Sequence, residues 1–284
     1  MPNNALSWDE FKLAISNLRA NTPPHAPLLF RGQASDQWDL ETTLERTNHS
    51  DYVSDYYKLI LRIRPEIETT TNLKWDDDLN RFQIEKMLLE YDAFNSTLGH
   101  LPHYAYMTYL RHHGFPSPLL DWSQSPYVAA YFAFRKPEAE HVKIFAYCER
   151  TLPYKTSSSD DPQIWQYGPF VRAHRRHFAQ QSQYTICVQY SEHDGWRFKP
   201  HSSVFERNAK TQDVIRQYTI RASERSKVLR ELGDYNLNAF SLFGSEESLM
   251  EMLSIREESR GDDTRLFTAV LKPAPGIKIK IIDD

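Results

Sequence analysis

Apolar and polar positions recur along the chain with two periods, and the changes between them mark its elements. Ser7 and Glu10 stand ahead of Phe11, Leu13, Ile15 and Leu18, a capping box before an amphipathic helix. Asn21-Thr22-Pro23-Pro24 ends it, since proline removes an amide donor and biases the residue before it away from helix. Leu28-Leu29-Phe30 then reads as a short buried strand that stops at Arg31-Gly32-Gln33. From about 51 to 113 the pattern is mainly helical. Within it Leu79, Phe82, Met87, Leu88, Tyr91 and Phe94 form a stripe expected to face the core.

After the Gly114-Phe115-Pro116 turn comes a second short apolar segment, Leu119-Leu120, ending in Asp121-Trp122. Ser125-Pro126 offers an N-cap and a first helical position. The helix behind it, Tyr127 to Phe134, is apolar nearly all round and so must be buried, with Ala129, Ala130 and Ala133 small enough to sit close against a sheet. Lys143–Tyr147, Tyr184–Val188 and Val214–Ile220 have strand character. Thr151 to Pro162 reads as a polar loop and Ser191 to Thr211 as an irregular insertion. Two short helices are expected at Glu224–Gly233 and Leu249–Ile255, and the alternation from Leu266 to Ile282 suggests a final hairpin or edge strand. These elements predict one α+β domain over residues 1–284, with a helical insertion at about 51–113 and C-terminal helices and a tail at about 221–284.

Composition narrows the function classes. A chain that is 40% hydrophobic can fill a core. With 34 basic and 38 acidic residues its net charge is −4, which excludes a general polyanion binder while allowing a local basic patch. Cys148 and Cys187 each lie in an apolar run and are expected to be buried thiols. MPNNALSWDE has no basic stretch followed by an apolar one, and no apolar run is long enough to cross a bilayer. A cytoplasmic protein without a membrane partner is expected. Nine glycines form no phosphate loop, no G-x-S-x-G elbow occurs, and His174 with His177 lacks a third ligand, so no metal is expected.

What remains is a set of polar residues at the ends of apolar segments: Arg31, His112 and His113, Asp121, and Gln180-Gln181 ahead of the last central strand. A guanidinium at a strand end is costly to bury without an anion. Arg31 either pairs with a core carboxylate such as Asp121 or receives a ligand that brings negative charge. Its planar fork suits phosphate or carboxylate, and the histidines suit a ribose hydroxyl or an amide. Trp122 and Tyr184 suit either packing or stacking on a ring. Arg172, Arg175 and Arg176, with His174 and His177 interspersed, form either a solvated basic face or a path for a nucleic-acid backbone, with Trp165, Tyr167 and Phe170 near enough in sequence to stack on bases.

The blocks LLFRGQASDQWDLETTLER, RHHGFPSPLLDWSQSPYVAAYFAF, RRHFAQQSQYTICV and LRELGDYNLNAFSLFG resemble the FRG domain, whose Phe-Arg-Gly stands here as Phe30-Arg31-Gly32. The resemblance runs from about Ser7 to Leu253. The second block is the most specific, matching at His112, Gly114, Pro116, Leu119, Leu120, Asp121, Trp122, Pro126 and Ala129. Arg111 replaces the usual Gln, Pro118 the usual Arg, Ser117 the Thr, and Ser182 or Gln183 the glycine.

That resemblance implies a divergent ADP-ribosyltransferase with a split sheet and NAD as co-substrate. On it, Arg31, Gly32, Gln33, His112, Trp122 and Tyr184 would hold NAD, and Arg31, His112, Asp121, Gln180 and Gln181 would serve the reaction. The late-strand Glu of such enzymes is met here by Gln180-Gln181-Ser182-Gln183, so Asp121, Glu206 or Glu246 would have to supply the carboxylate. A bacterial toxin or anti-phage defence effector is implied, with a nucleic-acid or protein acceptor and an antitoxin or chaperone as partner. An NAD- or nucleic-acid-binding module without turnover, or an NAD glycohydrolase, are the alternatives.

Overall fold

The computed structural model describes residues 5–23, 26–47, 50–75, 79–149, 161–168, 175–208 and 213–270, with side chains omitted at 175, 206–208 and 259–270. The predicted opening helix is α1 (Trp8–Ala20), with the capping box of Ser7 and Glu10 formed. It leads to β1 (Leu28–Gln33). The helical region then holds α2 (Val53–Thr71), α3 (Arg81–Leu88), α4 (Tyr91–Asn95) and α5 (Tyr104–His112). Next come β2 (Leu120–Ser123), α6 (Pro126–Arg135), β3 (His141–Glu149), β4 (Gln163–Tyr167), α7 (Arg175–Ala179) and β5 (Ser182–Ser191). The described chain ends with β6 (Gly195–Phe198), α8 (Ser202–Asn208), β7 (Asp213–Arg221), α9 (Arg225–Asp234), α10 (Ala239–Phe243) and α11 (Glu246–Val270).

Helices and sheet are mixed as the α+β reading requires. The seven strands are ordered β4-β5-β2-β1-β3-β7 with β6 on β5, and every pair among them is antiparallel. The ladder is uneven. β3 and β7 pair over nine residues, His141 opposite Arg221 through Glu149 opposite Asp213. β1 and β2 meet at a single pair, Phe30 opposite Ser123. The sheet is therefore continuous but nearly parted between β1 and β2.

Alternation assigns the faces. On one face, Phe30, Ile144 and Ala146 pack with α1, α6 and α9 through Phe11, Val128 and Leu232. Also on that face, Tyr184, Ile186 and Val188 of β5 pack under the helical region through Tyr56, Tyr106 and Leu110. Leu29, Leu120, Trp122, Phe145 and Tyr147 point to the opposite face, covered by Val204 and Phe205 of α8. Two separate helical layers thus share one face, and the space between them lies over the β1–β2 seam.

Gly32 explains how close α6 comes. A Cβ there would stand 1.9 Å from the Ala129 carbonyl oxygen and 2.9 Å from the Ala133 nitrogen. Only a residue without a side chain lets the alanine-bearing helix rest on β1.

Three expectations are corrected. Phe82 is 74% exposed rather than core, because α3 lays Ile84 and Leu88 inward. The 191–211 stretch is not irregular over its described residues, since it contains β6 and α8. The last helix runs from Glu246 to Val270, so Leu266–Val270 is helical instead of a hairpin, and the rest of that tail lies outside the described residues. The loop expected from 151 lies outside them too, apart from its end. Cys148 and Cys187 are buried, as expected, and form no disulfide among the described residues. Among the described residues no helix is long and apolar enough to cross a membrane.

Candidate functional site

Where the β1–β2 ladder would continue past Phe30, a side chain takes over. Arg31 Nη1 donates to the backbone carbonyl of Asp121 at 2.8 Å and to its Oδ1 at 2.5 Å. Arg31 pairs with Phe145 across β3, so its Cβ starts on the face opposite the helical layers and its guanidinium reaches through the seam. From the other side, Arg111 Nη2 donates to the same Oδ1 at 2.6 Å. Arg111 and His112 both sit in the last turn of α5, where positive charge meets unsatisfied helix carbonyls favourably.

Asp121 thus joins two cations, Arg31 with a side chain 13% exposed and itself at 44%. Burial pushes the Asp121 carboxyl up, but the Arg111 and Arg31 guanidiniums outweigh it and hold it well below the usual carboxylate range. Burial lowers the Arg31 pKa while Asp121 opposes that effect. Arg31 Nε and Arg111 Nε are buried and carry no hydrogen bond.

Directly across the ladder from Asp121 stands Tyr184 of β5. Its hydroxyl is 2.8 Å from His112 Nε2 and 3.4 Å from His177 Nδ1. Burial lowers His112 to about 4, with Asp121 pulling the other way, so its imidazole is neutral near pH 7. Burial likewise pushes the Tyr184 phenol up.

These groups, His177 apart, line a cleft of about 320 Å³ between the two helical layers. That is the lower end of the volume range, about 300–1,000 Å³, in which small molecules bind. Four arginines, Arg31, Arg46, Arg111 and Arg176, line it against one carboxylate, Asp121. Its other wall is aromatic, with Trp38, Phe132 and Phe243. The last two rings meet edge to face at 5.8 Å.

The structure brings together most of the residues singled out above. Arg31, Gly32, Gln33, His112, Asp121, Gln180, Tyr184 and Arg176 all line the cleft. Of the alternatives for Arg31, the pair with Asp121 is formed, and the side chain also lines the cavity. Gln33 donates through Nε2 to the Asp39 carbonyl at 3.0 Å, and Gln180 donates to that of Leu242 at 3.2 Å. Gln181 is exposed in a left-handed turn at φ 49°, just before β5, and lies off the cleft. Trp122 lines the cleft wall, while its indole packs on the opposite face and donates to Thr185 Oγ1 at 2.8 Å. His113 caps α5 and packs on Tyr109. Arg172 and the side chain of Arg175 lie outside the described residues, as does the Glu206 side chain. Glu246 is exposed and lines no part of the cleft.

Arg46 and Trp38 were not anticipated. Both belong to the polar stretch after β1, where no periodicity marks a side chain as inward. Arg111 was visible only as a departure from the usual Gln, and it occupies the carboxylate's second flank.

Among known families, the FRG domain model matches residues 26–142. The match contains the first two of the four blocks, while those after β3 lie beyond it. No curated protein and no solved structure matches the chain.

Proposed function

From the match of residues 26–142 to the FRG domain model, we propose that this protein is an NAD-dependent ADP-ribosyltransferase and that the cleft is its NAD site. One observation carries the proposal: four arginines face a single carboxylate beside an aromatic wall. A dinucleotide offers the matching chemistry, a diphosphate for the guanidiniums and flat rings for Trp38, Phe132 and Phe243. The near-parted sheet over which the cleft lies suits the split sheet of that enzyme class.

In this reading Arg31 and Arg111 hold the diphosphate. Neutral His112 hydrogen-bonds a ribose hydroxyl, its ring fixed by Tyr184. When the glycosidic bond breaks, nicotinamide leaves with the bonding electrons and positive charge builds on the ribose. Asp121 is the carboxylate placed to offset it, since both guanidiniums engage Oδ1 and neither engages Oδ2. The acceptor's lone pair then bonds to the anomeric carbon, and its proton passes to solvent. Such an enzyme suits a toxin or defence effector, one whose activity a cognate inhibitor would restrain.

A second reading is favoured by the same triad. With both cations on Asp121, its charge is already offset, as a binding module without turnover would tolerate. Calorimetry with NAD, paired with chromatography of released nicotinamide, separates the two. The transferase binds NAD and releases nicotinamide, the module binds without release, and a glycohydrolase yields free ADP-ribose with no labelled macromolecule. Arg31→Gln should weaken NAD binding about 10- to 100-fold, the range for losing a charged hydrogen bond. A wild-type protein that binds no NAD removes the proposal.

A further inference from the structure

A second cavity, of about 460 Å³, shares a wall with the cleft, since Arg176 and Phe243 line both. The rest of its lining is Ala179 at the end of α7, Asn236 after α9, and Phe240, Ser241, Leu242 and Gly244 around α10. NAD binding as proposed leaves it unused. Among the described residues its one charged lining residue is Arg176, and none of them is a carboxylate. The Arg176 guanidinium lies over the Phe243 ring at 5.7 Å, while Nε donates to the Phe243 carbonyl at 3.1 Å. Arg176 is thereby fixed between the two cavities. At the rim Phe240 is 44% exposed, and Phe178, on the helix packed against α10, is 63% exposed. Both rings are exposed rather than part of the core, on the two packed helices that carry this cavity's lining.

We infer that this cavity receives the acceptor of the transfer and that the acceptor is a single-stranded nucleic acid. The inference rests on the NAD reading of the adjoining cleft. Unpaired bases of any sequence can stack on exposed phenylalanine, and their backbone seeks a guanidinium. A basic peptide would need a counter-charge in the cavity, and the described lining residues offer a guanidinium instead, with the nearby acid, Glu247, outside the lining. A base seated on Phe240 lies one side chain away from the cleft. There a ring nitrogen or hydroxyl can bond to the anomeric carbon as nicotinamide departs with its electrons, releasing its proton to water. Glu247 is an opposing feature. Its carboxyl is lowered mainly by the Ser245 hydroxyl and to a lesser extent by Arg176, so it lies near enough to repel a phosphate.

The test is fluorescence anisotropy with a labelled single-stranded oligonucleotide of about 12 nucleotides, within the usual span of such sites. RNA and DNA forms are compared with the matching duplex at two salt concentrations. Wild-type protein should bind the single strand, more weakly as salt rises. Phe240→Ala and Phe178→Ala should each weaken binding by about 5- to 100-fold, as loss of one stacked base does. Glu247→Gln should strengthen it. Calorimetry should find NAD binding by Phe240→Ala unchanged, which also shows that the variant is folded. Equal binding by wild type and both Phe variants overturns the inference, as does equal affinity for duplex. Absence of oligonucleotide binding together with NAD-dependent labelling of protein also overturns it and leaves the transferase standing. Failure of the wild type to bind NAD would instead remove the reading beneath it.

Discussion

Two seams of one sheet, one on either side of the β1–β3 pair, are built from different materials. Between β3 and β7, nine residue pairs close the ladder, and inward side chains such as Val142, Ile144 and Ile220 are wholly buried. Between β1 and β2 one backbone pair remains, and the junction is completed by Arg31 donating to the Asp121 carbonyl and carboxylate. A ladder of backbone hydrogen bonds has no substitute partner and serves the fold alone. A guanidinium that stands in for the ladder can exchange its carboxylate for another anion without unfolding the strands. The difference explains why the cleft opens over one seam and why the other is covered by packing.

The largest effect expected from breaking this comparison is on turnover. Asp121→Asn should slow nicotinamide release by about 10²–10³-fold, as losing one preorganised electrostatic contact does. It should at the same time tighten NAD binding, because the resident anion that competes for Arg31 and Arg111 is gone. On the other seam, Ile144→Ala should cost about 2–5 kcal/mol of stability by cavity formation, with NAD affinity of the folded protein unchanged. Rate assays and calorimetry on both variants read the contrast. Parallel losses of binding in the two would show that the β1–β2 seam has no special role.

Next in size is the contact that sets the seam's geometry. In Gly32→Ala the new methyl would overlap the Ala129 carbonyl, backbone against backbone, with no flexible end to yield. A loss of about 3 kcal/mol or more is expected in denaturant unfolding, at the upper end for overpacking. Gly99→Ala meets nothing within 4 Å and should stay within about 0.5 kcal/mol of wild type. Acid should act on the same region. Burial lowers His112 to about 4 and lowers His201 to about 3, with nearby Arg31 adding to the latter. Both imidazoles are neutral in the fold and gain protons on unfolding below about pH 6.5. The unfolded chain therefore binds more protons in that range, and stability should fall from about pH 6.5 toward 4 by a few kcal/mol. His201→Gln should flatten the profile in a pH series of urea unfolding.

The parts of this picture that were legible in the sequence are those carried by local signals. The capping box at Ser7, the Ser125-Pro126 start of α6 and the alanines of that helix each mark structure through a nearest-neighbour effect. Arg31 and Asp121 were conspicuous because charge at the end of an apolar run is costly. The pairing of Arg111 with Asp121 was hidden, because it depends on α5 turning its last residues over β2, a tertiary choice that helical periodicity does not encode. Phe82 misled for the related reason that a short helix can satisfy its core with Ile84 and Leu88 alone. Trp122 was ambiguous until the strand direction was known, since one residue of register decides which face a side chain takes. Trp38 and Arg46 lay in a stretch without period and carried no local mark at all.

The smallest effect concerns the tyrosine opposite the carboxylate. Tyr184 is anchored by strand pairing on both sides, with Asp121 on β2 and Tyr167 on β4, so removing its hydroxyl leaves the backbone in place. Tyr184→Phe deletes the 2.8 Å contact to His112 and leaves that imidazole held only by packing. A neutral hydrogen bond of this kind contributes about 0.5–1.5 kcal/mol, so stability should drop by about 1 kcal/mol. If His112 contacts the ribose, its loosened ring should weaken NAD binding by a few fold, with the Arg31–Asp121–Arg111 triad untouched. Calorimetry on Tyr184→Phe beside His112→Ala decides the point. A larger loss in the tyrosine variant than in the histidine variant would mean that Tyr184 itself, rather than the histidine it orients, meets the ligand.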